Sequence, residues 1–104
     1  MTNRVPESDW RVFRDLREVA LQRFCERVLG DLGRLCADVS KSPHERYLAV
    51  YRWLQDRDRE MAIAFNDPKR SQTIPQLAAI HGHNLLEPDE LSRFTPQTRN
   101  MIGR

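Results

Sequence analysis

The sequence predicts an all-α fold: a long antiparallel helical hairpin capped by two or three short C-terminal helices. Three observations carry this expectation. Apolar residues recur at three- and four-residue spacings along two long stretches. The segment Ser42-Pro43-His44-Glu45 divides those stretches at a point of legible helix-start chemistry. No run alternates apolar and polar residues as a half-buried strand does, and no Asn-Gly or Asp-Gly hairpin signal occurs.

The first helix is expected from about Asp9 to Val39, with Ser8 or Asp9 as its cap and residues 1–8 as a disordered tail. It carries two apolar sets. Val12, Phe13, Leu16, Ala20 and Phe24 form one; Leu21, Cys25, Val28, Leu32, Leu35 and Val39 form the other. At 100° per residue the sets point roughly 130° apart. Gly30 and Gly33 weaken the later half by about 1 kcal/mol each relative to alanine. The rotation, however, falls near residues 20–25, before either glycine, which favours one continuous helix meeting different neighbours with its two halves.

The turn into the second helix is set by chemistry. Ser42 can accept from the Glu45 amide while Glu45 reaches back to the Ser42 amide, and Pro43 sits where a missing N–H costs nothing. Residues 9–66 thus form the hairpin, its second helix running from Pro43 to about Phe65 and stopped by Asn66-Asp67-Pro68. Tyr47, Tyr51, Leu54, Met61 and Phe65, flanked by Val50, read as the inner stripe. That spacing wants an apolar residue at position 58, where the chain has Asp58. The conflict marks a candidate site: a carboxylate on an apolar stripe needs a partner such as Arg57.

Residues 67–104 form the cap. Lys69-Arg70-Ser71-Gln72 reads as a polar connection, and Thr73 as the cap of a short helix ending near His81. Gly82 or Asn84 supplies the positive φ of a helix end. Pro88-Asp89-Glu90-Leu91 opens one more turn, and Thr95-Pro96 caps a last helix ending near Ile102.

Composition narrows function only by exclusion. A chain of 104 residues is one domain's worth, with 31% charged and 39% hydrophobic residues, a globular balance. The net charge is +2 and the signs interleave, unlike the concentrated basic face of an electrostatic nucleic-acid binder. The N-terminal residues lack the apolar core of a signal peptide, and the longest apolar run, Met61 to Phe65, falls far short of the ~20 residues that span a bilayer. A cytoplasmic protein without membrane contact is expected, with Cys25 and Cys36 reduced and packed as small hydrophobes.

No catalytic, cofactor or metal motif stands out. The four glycines, at 30, 33, 82 and 103, frame neither a phosphate-cradling loop nor a nucleophile. His44, His81 and His83 lack zinc-ligand spacing. Residues 74–94 imitate a helix-turn-helix, but Pro88 would fall inside the recognition helix and Glu87, Asp89 and Glu90 would face phosphates. The candidate binding residues are therefore Tyr51, Arg57, Asp58, Lys69 and Arg70. The two long helices carry more apolar surface than the cap can cover, which points to a homodimer. The expected function is that of a small non-enzymatic protein of bacterial type, an adaptor or regulatory subunit acting on a protein partner. Nucleic-acid regulation is the less favoured alternative, through Arg11, Arg14, Arg17, Arg23 and Arg27, the Lys69-Arg70 corner or the 74–94 segment.

Overall fold

The computed structural model describes residues 5–103, and among these there is no strand. Helix α1 spans Glu7–Cys36 and α2 spans Pro43–Phe65. A 3₁₀ turn at Arg70–Gln72 leads into α3, Thr73–Gly82, followed by the short α4, Pro88–Leu91, and α5, Pro96–Met101. The order is the expected hairpin with its short-helix cap.

The connection between α1 and α2 follows from local hydrogen bonding. The Ser42 hydroxyl accepts from the Glu45 amide at 3.2 Å, and the Ser42 amide donates to the Glu45 carboxylate at 2.8 Å. Asp38 accepts from the Ser40 amide and hydroxyl within the turn, at 3.1 and 2.6 Å. These bonds hold both carboxyls, Asp38 and Glu45, below their usual range. Positive φ falls at Asn84, one of the two positions expected to end α3, and also at Asp67 in the bend after α2.

Several boundaries differ from the sequence reading, and each difference has a physical cause. Helix α1 begins at Glu7 after an N-cap Pro6 with no side-chain cap bond. Asp9 does not cap it, because its carboxylate is buried and committed to α5. Val5 is buried and Arg70 grips its carbonyl, so residues 5–8 belong to the folded body; residues 1–4 of the expected tail lie outside the described residues. At the other end α1 stops at Cys36, which leaves Val39 in the turn and 89% exposed. Thr73 is fully buried and makes no cap bond, since the 3₁₀ turn before it already starts the helical path.

The core sits at one end of the hairpin. Phe13, Leu16, Ala20 and Phe24 of α1 pack with Ala64 and Phe65 of α2 and with Leu77, Ile80, Leu85, Leu86, Phe94 and Ile102 of the cap. Leu21 and Val28, from the second apolar set, are only partly buried. Helix α1 is unbroken, as favoured from the rotated stripe, but its first apolar set meets α2 as well as the cap, as the Phe24 and Phe65 rings 5.9 Å apart show.

Arginines close the ends of the three longer helices. Each α-helix leaves its last carbonyls without intrahelical donors. Arg46 donates to the carbonyl of Cys36, the last residue of α1, at 2.9 Å. Arg17 donates to that of Phe65, the last residue of α2, with its guanidinium also over the Phe65 ring. Arg27 donates to His83 and Asn84 just beyond α3, each at 2.6 Å. A cation there also complements the negative end of the helix dipole.

Candidate interaction surface

Beyond the core, the hairpin projects as a two-helix arm. No residue between Cys25 and Ile63 is fully buried. The molecule measures 53 × 27 × 22 Å, and its radius of gyration is 16.6 Å, whereas a compact chain of this length has about 13 Å. The arm, residues 28–57, is what makes it long.

Its two sides differ chemically. On one, Cys36, Pro43, Arg46, Tyr47 and Val50 line an open apolar recess of about 350 Å³. Tyr51 and Leu54 follow Tyr47 along α2 at three- and four-residue spacings, and all three side chains stand in solvent. On the other side, Asp31, Arg34, Leu35, Asp38 and Trp53 line a more polar recess of about 540 Å³.

The stripe read as the inside of α2 holds at its far end, where Phe65 is buried and Met61 packs against the core, and is displaced along the arm. Tyr47, at 65% exposed, and Tyr51, at 53%, lie on a flank of the hairpin. The face turned toward α1 carries Arg46, Val50, Trp53, Arg57, Met61 and Ala64, one step round the helix. The residues that hid this face are amphipathic. Arg57 lays its guanidinium 5.0 Å over the Trp53 ring and donates to Glu60 at 3.0 Å, keeping its charge satisfied while its stem covers apolar surface. A stripe drawn through purely apolar residues skips Arg46 and Arg57, although both recur at helical spacing with Trp53.

Asp58 loses its anomaly in consequence. It is exposed on the flank and has no ion-pair or hydrogen-bond partner among the described residues. Arg57, its expected partner, is engaged by Glu60 instead. Lys69 pairs with Asp67 at 3.1 Å. Arg70 fastens the chain entering α1, donating to the Val5 carbonyl at 2.8 and 3.0 Å and to Glu7 at 2.9 Å. No hydrogen bond or ion pair joins any two of the five candidate residues among those described. Tyr51 lies in the apolar part of the flank, and Asp58 stands one turn beyond Leu54 at its polar end.

No family model, curated protein or solved structure matches this chain.

Three arginines of α1, Arg17, Arg23 and Arg27, are engaged by other parts of the molecule. Arg23 forms a two-pronged pair with Glu90 at 2.6 and 3.0 Å and also donates to the Leu85 carbonyl at 2.8 Å. The guanidinium holds the Glu90 carboxyl below its usual range, aided by the Glu87 amide, and the carboxylate in turn raises the Arg23 pKa. Arg17 and Arg27 serve helix ends. Arg11, beside Glu7, and Arg14, over Trp10, face outward, as do Arg34 and the solvent-exposed Arg27. In the 74–94 segment, α4 is a single turn, too short to lie along a DNA groove as a recognition helix. Nor is any helix among the described residues long and apolar enough to cross a membrane. Cys36 is exposed and Cys25 half-buried, both free, which corrects the expectation that both pack as buried hydrophobes.

Proposed function

We propose that this protein is a non-enzymatic interaction protein, an adaptor or regulatory subunit, that works by packing the apolar flank of its arm against another helical surface. The observation that carries this reading is the exposure of Tyr47, Tyr51 and Leu54 beside the apolar recess, on an arm with no fully buried residue of its own. A two-helix hairpin in water needs its apolar side covered to be more than marginally stable. Tyrosine suits such a surface, since it brings large contact area at low entropic cost and a hydroxyl that tolerates the rim. The internal engagement of Arg17, Arg23 and Arg27 favours protein over nucleic acid as the partner.

A photo-activated cross-linking residue placed at Tyr51 tests this in the native cell, with the exposed Arg99 of α5 as the control position. The reading expects a discrete protein adduct from position 51 and none from position 99. Failure of position 51 to capture any protein overturns it.

A further inference from the structure

We infer that the surface covering the arm is a second copy of this chain, packed antiparallel through the flank of α2 with the two-fold axis near Tyr51. This rests on the arm being a packing surface, as proposed above, and adds the identity of what packs there.

The first argument is area. The chain exposes 6924 Å² at a mass of 12.3 kDa. A compact monomer of that mass exposes about 6100 Å². The excess of about 800 Å² matches the share one partner contributes to a standard-size interface. The chain as a whole carries a surplus about equal to what one half of a standard dimer removes, and the arm is its most exposed part.

Charge supplies the second argument. The arm carries four acidic residues, Asp31, Asp38, Glu45 and Asp56, against five basic ones. All but Arg52 are engaged within the subunit: Arg34 with Asp31, Lys41 with Asp38 at 3.6 Å, Arg57 with Glu60 and Asp56 with Arg59 just beyond the arm, the latter at 2.6 Å, Arg46 on the Cys36 carbonyl, and Glu45 in the capping box. Neither a polyanion nor a strongly charged protein surface finds complementarity there. An equally neutral apolar flank does, and a second arm provides one.

Symmetry supplies the third. In a two-fold contact residue i meets residue j of the other copy and j meets i, so one stripe supplies both sides of the interface. The exposed Tyr47, Tyr51 and Leu54 are centred between positions 50 and 51. Antiparallel pairing sets Tyr51 near the axis and Tyr47 across from Leu54 of the other copy, aromatic on aliphatic. The product is a four-helix stalk with a cap at each end.

Sedimentation equilibrium at high micromolar concentration is the primary test, on the wild-type chain and on Tyr51→Glu. Tyr51 is half exposed in the single chain, so the variant keeps its fold, read as unchanged helicity by circular dichroism. Wild-type protein is expected to sediment as a dimer, and Tyr51→Glu to weaken association by at least about tenfold, as burying an unpaired carboxylate must. Orientation is read by mild oxidation in a Cys25→Ser, Cys36→Ser background. Tyr51→Cys should give a disulfide-linked dimer, and Val39→Cys, at the arm tip, should not. Cross-linking at 39 but not at 51 overturns the antiparallel pairing. A monomeric wild type overturns the second copy altogether, while capture of a different protein from position 51 in cells then leaves the broader reading standing.

Discussion

Asp9 and Thr95, eighty-six positions apart, are joined by two hydrogen bonds. The Thr95 amide donates to one carboxylate oxygen of Asp9 at 3.0 Å, and the Thr95 hydroxyl donates to the other at 2.7 Å. The Thr98 hydroxyl adds a third bond at 2.5 Å. Asp9 and Thr98 are both 1% exposed. One buried side chain thus fastens the first turns of α1 to the start of α5 and closes the cap over the core. Thr95 also keeps its local role, accepting from the Thr98 amide at 3.4 Å.

Removing that carboxylate strands three donors in the interior. Asp9→Ala is expected to destabilise the fold by about 3 kcal/mol, since buried donors left unpaired cost about 1–3 kcal/mol apiece with partial relaxation. Asp9→Asn keeps one acceptor oxygen and should lose less, about 1–2 kcal/mol. Urea unfolding followed by circular dichroism measures both. Equal stability for all three proteins would contradict the role assigned to Asp9.

The arginine contacts at helix ends predict a graded response. Arg17→Met leaves the Phe65 carbonyl without its donor in a half-buried setting and should cost about 2 kcal/mol. Arg27→Lys retains the charge, but an ammonium serves the two carbonyls of His83 and Asn84 less well than a planar guanidinium. About 1 kcal/mol is expected there, because the pair is exposed to water. Hydrogen exchange should localise the Arg27→Lys effect to the end of α3.

Acid sensitivity has a worked sign. The Glu90 carboxyl is held below its ordinary value of 4.5, first by its hydrogen bond with Arg23 and then by the Glu87 amide. A depressed folded-state pKa contributes stability that is complete above the unfolded value and is lost as pH falls through the folded one. The unfolding midpoint of the wild type should therefore fall between about pH 6 and about pH 3. Glu90→Gln should start lower and fall less over that window. An identical pH slope in the two proteins would show that the Arg23–Glu90 pair does not contribute.

Asp58 makes the opposite prediction. Because it stands in solvent on the flank of α2 without a polar partner among the described residues, Asp58→Asn should change stability by no more than about 0.5 kcal/mol. A loss of several times that in thermal unfolding would reinstate the buried ion pair that the stripe through Leu54 implied.

Local chemistry made much of this architecture legible in advance. The capping box at Ser42 and Glu45, the proline at the start of α2, Thr95 ahead of Pro96 and the positive φ of Asn84 all depend on groups within a few residues of one another. So did the rotated stripe of α1, because helical period alone fixes the angle between Phe13 and Val28. What the sequence by itself determined was therefore the elements, their order and the turn between the two long helices. Only the tertiary structure decided which flank of α2 meets α1, that Asp9 belongs to Thr95 rather than to its own helix end, and that arginines close distant carbonyls. Those choices hang on residues up to eighty-nine positions apart, and on side chains such as Arg57 that are apolar along the stem and charged at the tip. Periodicity assigns a residue one character; packing uses both ends of it.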